Sequence, residues 1–255
     1  MTMIAVLNKS DQVSDDDVRT MVRVCAHQLR YDAEPVWQRG PLPIAYVASE
    51  QAIQPGSWVI AILNDADQAG ALGYHTEGSD GTIWGRVFTS PSLDAGSTAL
   101  TGPYAISSVL SHEALEIYVD PSLDFWGWAD TDQAGNPVLV ATEVCDPVED
   151  HTYLIRDLHT GQDVTVSDFV TPAWFNPQAP SESTYSCLNS IDAPYTITAG
   201  GYAVVWRDGK HQQVFGDEMP SWRRDTKQHE LSRGSRRSAT PQPPSHKSEQ
   251  GQRLV

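Results

Sequence analysis

Apolar and polar positions follow two different periods along the first half of the chain. Ile4-Ala5-Val6-Leu7 is a continuous apolar run of strand length. So are Pro43 to Ala48 and Ser57 to Leu63, which the turn signal Gln54-Pro55-Gly56 separates. Leu72 to Thr76 and Ile83 to Phe88 make two further strands, parted by Gly78-Ser79-Asp80-Gly81. Between the first and second runs the spacing becomes helical, with Val18, Met21, Val22, Cys25 and Leu29 on one face. Ser14 offers a capping hydroxyl and Asp15-Asp16-Asp17 fills the first turn with acids, so this helix starts there and ends near Tyr31. Gly70 to His75 reads as an exposed edge strand to which an extended peptide can add, and Ser90 to Gly102 as a polar loop.

A second helix is expected to run through Ser108 to Asp120, with Thr101 placed to cap its start, Gly102-Pro103 opening the first turn and Pro121 blocking continuation. Residues four apart on a helix lie one above the other, so His112, Glu116 and Asp120 share a stripe, with Glu113 one step beside it. This is the zinc-hydrolase pattern His-Glu-x-x-His with its second imidazole replaced by a carboxylate. In that pattern the residues four apart hold the metal and the intervening Glu activates water. The plain alternative is an exposed helix whose charges face solvent, free of metal, its carboxylates protonated or paired with Arg86 or Arg156.

Past this helix the chain reads Phe125 to Asp130, a Gly135-Asn136 turn, Val138 to Val140, then Ala141 to Pro147. The series His-Glu-x-x-Glu-x-x-x-Asp-Pro, Gly-Trp-x-Asp and Glu-x-x-Asp is carried by His112, Glu113, Glu116, Asp120, Pro121, Gly127, Trp128, Asp130, Glu143 and Asp146. It resembles a group of bacterial and phage proteins classed as zincin-like metallopeptidases. The resemblance implies a twisted N-terminal sheet whose edge strand borders a cleft, with the His-Glu helix packed beneath it. It implies zinc held by His112, Glu116 and Glu143, with Glu113 as general base; Asp120 is the alternative third ligand. Asp146 caps a turn or supports a ligand. The carboxylate-rich set also suits calcium or manganese, since hard cations prefer oxygen. His151, Tyr153 and His75 are candidate oxyanion donors, each more simply read as a polar surface residue.

The second half is a succession of short strands: Tyr153 to Ile155, Val164 to Val166 and Phe169-Val170, with a turn at His159-Thr160-Gly161. Pro172 to Pro177 is an aromatic-rich loop expected to lie as a lid over the lower core. Tyr202 to Trp206 and Gln212 to Phe215 form a hairpin through Asp208-Gly209. Met219 is a candidate floor beneath the metal or a core residue. From Arg223 to Val255, Ser, Arg, Gln and Pro replace apolar residues, which predicts a disordered tail. The expected fold is therefore α+β: a zincin-like mixed sheet and active-site helix over 1–121, a β-hairpin-rich part over 122–222 completing the metal site, and the tail over 223–255.

Charge sharpens this division. The net charge is -16, yet the tail holds eight Lys or Arg against three Asp or Glu. So acidic a body argues against a nucleic-acid surface, and leaves only the basic tail for such contact. Three widely spaced cysteines, Cys25, Cys145 and Cys187, do not suggest a disulfide framework, and Cys25 falls on an apolar helix face. No apolar run has membrane-spanning length, and the first residues lack a signal-like pattern, so a cytoplasmic or virion location is expected. Two functions remain open at this point. One is a metal-dependent peptidase or related hydrolase acting on a peptide or protein. The other is a non-catalytic virion or assembly protein that contacts neighbouring subunits and keeps the fold, with or without a structural metal.

Overall fold

A computed structural model describes residues 2–68, 71–131, 135 and 137–216. The chain is mixed α/β, with three sheets and few helices among these residues, and it divides into two compact units. The first comprises Met1–Pro121 and His151–Asp168, the second Ser122–Asp150 and the chain from Phe169 onward.

The first unit is built on a five-stranded sheet in the order β2-β1-β3-β5-β4. Its strands are β1 (Ile4–Asn8), β2 (Ile44–Val47), β3 (Trp58–Leu63), β4 (Gly73–Glu77) and β5 (Ile83–Phe88). Four of them run parallel; β4 alone is antiparallel, pairing with β5 from Gly73 opposite Val87 to Glu77 opposite Ile83. That the continuous apolar runs became the parallel strands is physically expected, since parallel strands are covered on both faces. Ile4, Val6, Ile60, Ile62 and Val87 are fully buried.

Helix α1 (Asp15–Gln28) begins where the sequence predicts, with the Ser14 hydroxyl accepting from the Asp17 amide at 3.1 Å. It does not end near Tyr31. Leu29–Ala33 widens into a π turn and α2 (Glu34–Trp37) follows, ending on Gln38 in the left-handed conformation. The expected polar loop after β5 contains a short helix, α3 (Thr89–Asp94). The central helix, α4 (Ile106–Val119), starts beyond the expected opening at Gly102-Pro103 and has Ala105 at its N-cap with no side-chain cap. Thr101 does not cap it. Its hydroxyl pairs instead with that of Thr98, whose oxygen also accepts from the Thr101 amide, closing a local turn before the helix.

A hairpin of β8 (Thr152–Arg156) and β9 (Asp163–Ser167) belongs to this first unit, although its sequence position groups it with the second half. The reason is hydrogen bonding across long sequence separations. The Ser107 hydroxyl donates to the Thr165 carbonyl at 2.7 Å, the Ser167 amide donates to the Ser111 hydroxyl at 2.8 Å, and Gln28 reaches the Ser167 carbonyl at 2.8 Å. Arg23 on α1 grips Asp157 in the hairpin turn at 2.7 and 3.0 Å. That guanidinium, with help from Thr160 and the His159 amide, holds the Asp157 carboxyl well below the usual carboxylate range.

The second unit has a four-stranded antiparallel sheet in the order β11-β10-β7-β6. Its strands are β6 (Trp126–Thr131), β7 (Pro137–Ala141), β10 (Tyr202–Arg207) and β11 (Lys210–Phe215). Asp208 and Gly209 both take positive φ, the tight turn that the Asp-Gly pair predicts. The aromatic segment Pro172–Phe175 forms a 3₁₀ turn whose Trp174 and Phe175 are each 1% exposed, and the Trp174 ring N–H donates to the Thr196 carbonyl at 2.7 Å. Burial pushes the Cys25 thiol of the first unit up to about 12, so it packs as an apolar side chain. No helix among the described residues is long and apolar enough to cross a membrane. Asn136, Met219 and the segment 223–255 lie outside the described residues.

Candidate metal centre

Helix α4 is held on several sides, and that is what places its polar residues in the interior. It packs against α1, β9, β4 and β5, and every one of its residues except His112 is buried. The contact with β4 depends on Gly73. A Cβ at that position would lie 2.7 Å from Val109 Cγ1, 2.8 Å from Glu113 Oε1 and 2.9 Å from the Arg86 carbonyl. Without a side chain there, strand and helix approach closely enough for their side chains to meet. Strand alternation then sends His75, two residues on, to the same face as Gly73.

His75 is 4% exposed, so the reading of it as a surface residue is corrected. Its Nδ1 stands 3.4 Å from Glu113 Oε2 and 3.7 Å from Glu116 Oε2. Its Nε2 is 3.3 Å from the backbone carbonyl of Asp120. The other oxygen of Glu116, Oε1, is 3.2 Å from His112 Nε2. Glu116 therefore lies between two imidazoles, one on its own helix and one on the sheet edge. Glu113 shares the His75 side of this arrangement rather than standing apart from it.

The solvated-helix alternative does not hold. Glu113 and Glu116 are each 4% exposed, and a carboxylate removed from water costs several kcal/mol unless it is compensated. The arginines proposed as partners are engaged elsewhere: Arg86 pairs with Asp67 and lies over the Trp84 ring, and Arg156 pairs with Asp163 at 3.1 Å. Among the described residues, Glu113 Oε2 is buried with no hydrogen-bond donor. Imidazole nitrogens and carboxylate oxygens are the donor types zinc takes, so the residues present fit that ion. The carboxylate share also fits calcium or manganese.

The other predicted residues fall in different places. Asp120 is not on the helical stripe: it is the C-cap residue, with φ -136° and ψ 70°, and it offers its backbone carbonyl to His75. Its side chain is buried. Glu143 and Asp146 belong to the second unit; Glu143 follows β7, and Asp146 opens the 3₁₀ turn Asp146–Val148 that Pro147 favours. Gly127, Trp128 and Asp130 lie on β6, where the register shifts and the Trp128 indole donates to the Asp130 carbonyl at 2.7 Å. Tyr153 is tied to Asp32 at 2.6 Å and to Gln28 at 3.1 Å, a structural role remote in kind from oxyanion binding.

The residue that sequence reasoning undervalued is His75. A signal for it existed: a Gly two positions before a His on an antiparallel edge strand marks a face that another element approaches. Compared with family models, curated proteins and solved structures, the chain matches none.

Proposed function

We propose that this protein is a metal-dependent hydrolase, most simply a zinc peptidase of the zincin-like kind, with its metal held on α4. The observation that carries the reading is the buried set of Glu113, Glu116 and His75, with the partly buried His112 against Glu116, where α4 meets the edge strand β4. His112 and Glu116 are the ligands on the helix. A bound zinc ion supplies Lewis-acid polarisation of the scissile carbonyl and lowers the pKa of water. The chain's own residues do the rest. Glu113 takes the proton from the attacking water and returns it to the leaving amine. Strand β4 pairs with β5 on one edge only among the described residues, so an extended peptide can lie along its other edge by main-chain hydrogen bonding. Its specificity would come from alternate side chains entering or leaving that face.

The test is cleavage of a mixed peptide library by the zinc-loaded chain and by Glu113→Gln. The expected result is cleavage by the parent and a loss of about 10²–10⁴-fold in the variant with zinc binding intact. Equal cleavage by both would remove Glu113 from the mechanism, and no cleavage by a zinc-bound parent would overturn the peptidase reading.

A further inference from the structure

Resting on the metal-centre reading above, we infer that His75 on β4 is a metal ligand through Nδ1, so that the cation is clamped between the sheet edge and α4. Nothing in the His-Glu-x-x-Glu pattern assigns it. The argument begins at the far side of the ring. Nε2 lies 3.3 Å from the Asp120 carbonyl oxygen, which only accepts, so this contact is a hydrogen bond in the tautomer that carries its proton on Nε2. In the neutral imidazole Nδ1 is then the lone-pair nitrogen. It faces two carboxylate oxygens, Glu113 Oε2 at 3.4 Å and Glu116 Oε2 at 3.7 Å.

Lone pairs converging in so dry a place repel, and a cation among them converts the repulsion into coordination. The spacing agrees with that use. Two donors each about 2.1 Å from a tetrahedral ion stand roughly 3.4 Å apart, close to the 3.7 Å between Nδ1 and Oε2 of the ligand Glu116. Glu113 Oε2, the same oxygen that faces Nδ1, is buried with no hydrogen-bond partner, which adds to the demand for positive charge there. The Asp120 carbonyl is also the kind of partner that fixes ring orientation in metal-binding histidines. His75 thereby supplies the second imidazole that Glu116 displaced from the helix, and β4 becomes both ligand carrier and substrate edge. The competing arrangement is a metal-free imidazolium paired with Glu113.

The experiment is a titration of the full chain, labelled with ¹⁵N in its histidine rings, with zinc alone. The His75 and His112 signals are identified by their loss in His75→Gln and His112→Gln. The expected result is a large shift of His75 Nδ1, saturating together with that of His112, while His75 Nε2 keeps its proton. In parallel, His75→Gln should weaken zinc affinity by at least about 100-fold. If zinc moves His112 and leaves His75 Nδ1 unmoved, His75 is not a ligand, and the metal centre stands without it. If zinc moves neither ring, the inference and the metal reading fall together. The ring shifts themselves are read on the parent chain, and each variant serves the assignment only where its remaining histidine signals match the parent's.

Discussion

Helices α1 and α4 have the same length, 14 residues each, and opposite relations to water. On α1 a capping serine and three aspartates crowd the first turn, the polar face is exposed, and the buried residues form one stripe. On α4 there is no side-chain cap, and all residues but one are buried, including two glutamates. Charges on α1 are cheap because solvent compensates them; charges on α4 are costly and demand a local partner. The contrast separates charge that solubilises a helix from charge that a site requires. Glu113 and Glu116 are buried, and the proposed metal centre places them in the second kind.

If that contrast is right, the two helices should respond to substitution on different scales. The largest effect belongs to the α4 core: Leu115→Ala, at a fully buried position, should cost about 3 kcal/mol in denaturant unfolding. A loss below about 1 kcal/mol would mean that α4 is less firmly enclosed than its burial indicates.

Next comes the one strong charge contact of α1. Asp157→Asn should cost about 2 kcal/mol at neutral pH, less than the roughly 3–5 kcal/mol of a fully buried pair because the Arg23 side chain is 36% exposed. Its pH dependence has a definite sign. The folded-state carboxyl titrates below its unfolded value, so its stabilisation is fully present above about pH 4 and is lost as pH falls through the depressed folded value. The parent should therefore show an acid limb in its stability curve that Asp157→Asn flattens. An unchanged limb would assign acid sensitivity to other carboxylates.

The smallest effect is at the α1 cap. Ser14→Ala should cost about 1 kcal/mol, measurable as a modest fall in the urea midpoint. It should leave metal binding untouched, since α1 contributes no group to the cluster. A change in zinc affinity with this variant would break the separation between the two helices.

The same contrast explains what the sequence made legible. Strand runs such as Ile4 to Leu7 and Trp58 to Leu63 declare themselves because parallel strands need apolar residues on both faces. The start of α1 is legible because capping is a local interaction of adjacent residues. The π turn at Leu29–Ala33 is not, since it follows from how the chain leaves a packed helix. The hairpin at 152–167 joins the first unit through bonds such as Ser107 to Thr165, which no local pattern announces. Within the site, helical spacing placed His112, Glu113 and Glu116 together. Asp120 left the stripe because the helix ends at Val119. His75 entered the cluster through strand–helix contacts with residues 38 and 41 positions away in sequence, which spacing within α4 cannot encode.

The central claim is that the buried carboxylates of α4 are there to hold a metal ion. Its most direct test is the metal content of the purified full chain, measured by elemental analysis beside His112→Ala and Glu116→Ala. About one zinc per chain in the parent, lost in both variants, is the predicted result. A parent with no metal even after incubation with zinc, or a Glu116→Ala variant that retains its full complement, would contradict the account.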